Sequence, residues 1–190
     1  MADVLKYGDK VHIQNGYKDW NGGYLDTNGR NPGAGSVYGV STSDTPTRAA
    51  GTGTWEITSA AGKRAGEQVM SGEVVHLRNL YGEGGYLDTN GVAASGQGPA
   101  AKYDVSTNGE KDRGGHKTGS WRVFAQTSSP GDQAVRVGDV VLLWNLYSAT
   151  GSFLETNGGN PAPTGAKYDV CTSAYWNRAE DVGNWRFAKA

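Results

Sequence analysis

Apolar and polar residues alternate over short stretches along the whole chain, and the stretches fall into groups of four. In Lys10-Val11-His12-Ile13-Gln14, Val11 and Ile13 share one face and His12 takes the other, the period of a half-buried strand. Val75/Leu77 and Val141/Leu143 repeat this pattern, with His76 and Leu142 on the outer parity, so both histidines are expected to face solvent. Tyr24–Thr27 reads as a second strand, stopped by Asn28-Gly29, a pair that tolerates positive φ and signals a turn. Val37–Thr42 and Thr54–Ile57 complete the group. No window has a helical period, and glycine and proline gather in the loops between strands.

The groups of four are copies. GGYLDTNG stands at Gly22–Gly29 and again at Gly84–Gly91, and GSFLETNG occupies Gly151–Gly158. Val40, Val105 and Val170 are 65 residues apart both times, and the copies close on GTWEI, GSWRV and GNWRF. The copies span residues 5–60, 69–126 and 135–190, joined by small polar linkers. A unit of that size without disulfides or metal is marginal alone. One domain over 1–190 with a shared core is therefore expected. Its inward positions are Val11/Val75/Val141, Ile13/Leu77/Leu143, Leu25/Leu87/Leu154, Val40/Val105/Val170, Ile57/Val123/Phe187 and Trp55/Trp121/Trp185.

Composition narrows the function classes. Thirty glycines, six tryptophans and a mean hydropathy of −0.58 describe a soluble, loop-rich, all-β chain. No apolar run approaches the roughly 18 residues of a membrane span. The opening MADVLKYGDK lacks the basic and apolar regions of a secretory signal, which leaves the compartment open, extracellular or cell-surface action included. A net charge of −1 without basic clusters gives no reason to propose nucleic acid. The lone Cys171 stands where the other copies carry Ser41 and Ser106, so it reads as a small packed side chain. The histidines are not spaced as metal ligands, no cofactor motif is present, and no nucleophile or phosphate motif appears. A glycosidase needs two carboxylates at one place, whereas the recurring acid stands once in each copy, so no enzyme is expected.

The recurring polar residues suggest binding. Asp26, Asp88 and Glu155 keep a carboxylate, and Asn28, Asn90 and Asn157 keep an amide two residues on. Tyr38, Tyr103 and Tyr168 keep a phenol on the next strand, and Arg48, Arg113 and Arg178 recur in the last loop. Carboxylate and amide can hold vicinal hydroxyls, and a tyrosine face can take the C–H face of a sugar. The expected partner is a glycan or polysaccharide, at up to three sites; a homo-oligomer is compatible with the sequence. The same residues also read as structural, with Asp and Asn stabilising a turn and the arginine pairing with the carboxylate across a hairpin.

Twelve short strands in three copies resemble the β-trefoil, a six-stranded barrel capped by three hairpins, with a three-sided β-prism as the alternative. The chain resembles β-trefoil carbohydrate-binding proteins in this respect but lacks the Gln-x-Trp signature of the ricin B type, so no ricin-type ligand residues carry over. At the level of phrases, HIQNGY, GGYLDTNG, VSTS and GTGTWEI in order resemble the repeats of cyanobacterial water stress proteins, which implies association with extracellular polysaccharide. The alternative is a structural or interaction protein, such as a desiccation-matrix component, an inhibitor or a toxin-associated module. It would act through Lys18-Asp19-Trp20 and Tyr175-Trp176, aromatic segments that stand once each in the chain.

Overall fold

The computed structural model of the protein describes residues 2–30, 33, 35–93, 98, 100–127, 129–159 and 165–190. The glycine-, proline- and alanine-rich loops expected after each Asn-Gly pair lie partly outside these residues. Twelve strands follow in order: β1 (Lys10–Asn15), β2 (Tyr24–Arg30), β3 (Ser36–Ser43), β4 (Trp55–Ser59), β5 (Val74–Asn79), β6 (Gly85–Val92), β7 (Ala101–Asn108), β8 (Trp121–Gln126), β9 (Val140–Asn145), β10 (Ser152–Gly159), β11 (Ala166–Ser173) and β12 (Trp185–Lys189). One helical turn, Tyr17–Trp20, holds Lys18 and Asp19 at positive φ, and a 3-10 turn covers Arg113–Gly115.

The expected trefoil is corrected by the strand pairing. All twelve strands hydrogen-bond into one antiparallel sheet, and the hairpins are part of it, not a separate cap. A closed circuit of ten strands runs β11-β3-β2-β1-β12-β9-β8-β5-β6-β7 and returns to β11, with β4 and β10 as two further strands that bridge it. The sheet does not divide into the three faces of a prism either. The reason lies in the edges. Within a hairpin β3, β7 and β11 satisfy one edge each, and their other edges meet one another through β3–β7, β7–β11 and β11–β3. Unpaired strand edges are an aggregation liability, and closure removes them.

The expected inward residues are buried together in one cluster. Each tryptophan also places its indole N–H: Trp55, Trp121 and Trp185 donate to the carbonyls of Leu25, Leu87 and Leu154 at 2.9, 2.8 and 2.9 Å. A buried indole needs such an acceptor, so these side chains belong to the fold. One end of the core is closed by a ring that the alternation does not show. Leu5 N–H donates to Val135 O, Val135 N–H to Val69 O, and Val69 N–H to Leu5 O, at 2.8, 2.9 and 2.9 Å. All three side chains are fully buried.

His76 departs from expectation: it is buried, and Nδ1 donates to Gly119 O at 2.9 Å. His12 makes the same bond to Gly53 O. Each ring ties a strand to the loop glycine before the next tryptophan. Cys171 is buried and unpaired, and burial raises its thiol pKa, as suits a packed side chain.

Candidate functional site

The phrase Asp-Thr-Asn-Gly does not stop its strand. Each strand continues to Arg30, Val92 or Gly159, and the register shifts within the phrase. Gly29, Gly91 and Gly158 sit at φ 61°, 76° and 77°. A glycine in the left-handed region inside an antiparallel pair makes a β-bulge, which bends the strand and re-aims its side chains.

Before the bulge, the carboxylates of Asp26, Asp88 and Glu155 point inward and are fully buried. Arg48 Nε donates to Asp26 Oδ1 at 2.8 Å and its Nη2 to Thr27 O at 2.7 Å. Arg113 repeats this with Asp88 Oδ1 at 2.9 Å and Thr89 O at 2.5 Å, and Arg178 Nε reaches Glu155 Oε1 at 3.1 Å. The second oxygen of each carboxylate has no hydrogen-bond donor among the described residues. Burial raises all three carboxyl pKa values, and the arginines, with the neighbouring hydroxyls of Thr52, Thr118 and Ser173, pull them back.

The amides are engaged as well. Asn28 Nδ2 donates to Ser41 Oγ at 3.0 Å, and Asn90 Nδ2 donates to Ser36 Oγ. Asn157 donates to Glu155 Oε1 and accepts from Gly98 N–H, both at 3.0 Å. The carboxylates therefore hold each arginine from inside, with Asn157 bracing Glu155 in the third copy, and the arginine side chains remain 23–30% exposed.

The tyrosines are brought together in pairs, and each pair is built from two copies. Tyr17 meets Tyr168, Tyr81 meets Tyr38 and Tyr147 meets Tyr103, with ring centroids 5.2, 5.5 and 5.1 Å apart. A cation lies near each of these rings: Lys167 by Tyr168, Arg30 by Tyr38 and Lys102 by Tyr103. Tyr17, Tyr81 and Tyr147 stand two residues after Asn15, Asn79 and Asn145, and this spacing was the only trace of the pairing in the sequence. Those buried asparagines set the tyrosine backbone: Asn15 Oδ1 accepts Tyr17 N–H at 3.0 Å, and Asn79 and Asn145 do the same for Tyr81 and Tyr147.

A cleft of about 340 Å³ opens where the first and third copies meet. Tyr17, Tyr168, Asn157 and Arg178 line it, with Glu180 at its side. It offers aromatic edges and a guanidinium on one wall, which suits a ligand with both apolar faces and hydroxyl or acidic groups. Tyr38 is buried, so the counterpart in the first copy presents less of its ring. Among the described residues no group of three His, Cys, Asp or Glu side chains is placed to hold a metal ion, and no helix is long and apolar enough to cross a membrane.

No protein-family model and no curated protein matches the chain. Solved structures do. The SDF2-like protein of Arabidopsis thaliana shares 16% identity at a TM-score of 0.71, over 98% of this chain and 95% of that one. A Caenorhabditis elegans protein of unknown function shares 15% at 0.72, over 98% and 97%. The ligand binding domain of botulinum neurotoxin serotype D, in complex with N-acetylneuraminic acid, shares 13% at 0.64, over 97% of this chain and 42% of that one. At these identities the likeness is one of fold.

Proposed function

We propose that the protein is a non-enzymatic glycan-binding protein whose principal site is the cleft between Tyr17 and Tyr168. The observation that carries this reading is the convergence of two tyrosines from different copies with Arg178 at an open cleft of sugar-accommodating size. Tyr17 and Tyr168 supply C–H/π contact, and the outer face of Arg178 supplies oriented hydrogen bonds. Glu155 and Asn157 act one step back, by aiming the arginine. Tyr38 with Arg48 and Asp26–Asn28, and Tyr103 with Arg113 and Asp88–Asn90, are weaker counterparts. The sugar complex of the neurotoxin domain supports the ligand class, and the phrase resemblance to water stress proteins points to a matrix polysaccharide. Each site binds weakly, on the order of millimolar or about −4 kcal/mol, and several sites on one rigid scaffold gain avidity for a polymer.

The test is a glycan array that includes neutral, sialylated and matrix polysaccharides, followed by titration calorimetry on the best binder. Tyr168→Ala and Tyr17→Ala are each expected to weaken binding about tenfold. Unchanged affinity in both variants, or silence across the array, overturns the reading.

A further inference from the structure

The three copies fold their last loop the same way but furnish it differently. A Cβ at Gly53, Gly119 or Gly183 would stand 1.9, 2.1 or 2.1 Å from the carbonyl oxygen of Pro46, Lys111 or Trp176, so the same close approach seats the loop in every copy. The side chain at that seat is free to vary, because proline and lysine serve the fold as well as tryptophan does. Yet Trp176 leaves 59% of its surface in water.

Two further positions change with it. Across the adjoining strand pair, Thr58 faces His76 and Ala188 faces His12 in the register, whereas the third such pair is Phe124 opposite Leu142. The histidine bonded to the loop carbonyl is thus replaced by an apolar side chain, and Phe124 is 41% exposed. Phe124, Leu142 and Trp176 converge on one groove of about 240 Å³, floored by Val140 and rimmed by the amides of Gln126 and Asn184. Among the described residues no charged side chain lines it. The counterpart in the second copy is a cleft of about 450 Å³ whose lining includes the charged Glu73, Asp112, Lys117 and Arg122 beside His76, Tyr7, Val74 and Leu146.

From this convergence we infer that the groove at Trp176 is a separate saccharide site, for a neutral sugar ring stacked by its C–H face on the indole. The inference rests on the reading of the chain as a glycan binder but uses a different surface. Three apolar replacements at one place leave an aromatic platform that the fold does not need. Its backbone is held by the Gly183 contact and by Asn177 and Asn184, which both donate to Asp181 Oδ1 at 3.0 and 2.9 Å. Among the described residues the side-chain oxygen of Asn184 and the amide of Gln126 have no partner and can meet hydroxyl groups, and the uncharged lining selects against acidic sugars.

The experiment uses the full chain labelled with 5-fluorotryptophan, with the Trp176 resonance assigned through Trp176→Lys, the second copy's residue at that seat. Cellohexaose and maltohexaose are the neutral probes, and a sialylated oligosaccharide is the acidic one. A saturable shift of the Trp176 signal with a neutral probe is expected, about tenfold weaker binding in Trp176→Lys, and no loss of the shift in Tyr168→Ala. A Trp176 signal that no neutral probe moves overturns the inference, as does one that only the acidic probe moves. A signal that moves with protein concentration alone, together with dimers in sedimentation, overturns it too, since a second copy then covers the groove. If Tyr168→Ala abolishes glycan binding while Trp176 stays silent, the tyrosine cleft stands and this site falls. If the Trp176 shift appears while Tyr168→Ala changes no affinity, this site stands and the cleft falls.

Discussion

Arg113 and Asp88 can be separated experimentally into what they do for the fold and what they do for a ligand. Arg113→Met leaves a fully buried carboxylate without its counter-charge, which is expected to destabilise the protein by about 3–5 kcal/mol in urea unfolding. Adding Asp88→Asn removes the stranded charge and is expected to restore a large part of that loss. A second residue-scale effect concerns pH. Asp104, on β7, has its carboxyl pKa raised from 3.8 to about 6, first by burial and then by the nearby charge of Asp169, against a hydrogen bond from Val105 N–H. The folded state therefore holds a proton that the unfolded chain releases near 3.8. Stability from this group is present at low pH and is lost as pH rises from about 4 to about 6. Relative to Asp104→Asn, the natural protein is expected to lose on the order of 1–2 kcal/mol over that interval, since solvent still reaches the group. Melting curves of both proteins between pH 4 and pH 8 measure the difference; parallel profiles refute the assignment.

At the scale of elements, two kinds of glycine do different work. Gly91 makes a bulge at φ 76° with open space where a Cβ would go. Gly119 has no positive φ but sits against Lys111 O. Gly91→Ala is expected to cost about 1 kcal/mol, the left-handed penalty of an L-residue. Gly119→Ala is expected to cost more, because the obstacle is backbone and the loop that carries Arg113 must move. Denaturant midpoints of the two variants give the ranking, and the reverse order would show that the loop yields easily. The bulges were half legible beforehand. Asn-Gly announced positive φ, but only the pairing of Asn28 with Gly39, and then of Arg30 with Tyr38, shows a strand that bends and continues.

On the scale of the whole molecule, the first and last strands are neighbours: β1 pairs with β12 from Val11↔Lys189 to Asn15↔Trp185. The Leu5–Val69–Val135 ring likewise joins three distant segments. A sheet closed in this way has few parts that can unfold alone. One cooperative transition is expected, with tryptophan fluorescence and far-ultraviolet circular dichroism coincident, and folding is expected to be slow because so many pairs are distant in sequence. Separate transitions would instead divide the chain into independent units.

The sequence by itself determined the all-β character, the number of strands and the apolar inward residues, because alternation and glycine placement are local properties of a strand. It also named the carboxylates, amides, tyrosines and arginines that recur. Only the tertiary structure decided which edges meet, and so replaced the barrel with a separate cap by one closed sheet. It alone turned Asp26, Asp88 and Glu155 inward, paired Tyr17 with Tyr168 across copies, buried His76, and gathered Phe124, Leu142 and Trp176 into one groove. These outcomes depend on contacts between residues far apart in the chain, and the free energy of such contacts is set by burial and edge satisfaction, which no local pattern records.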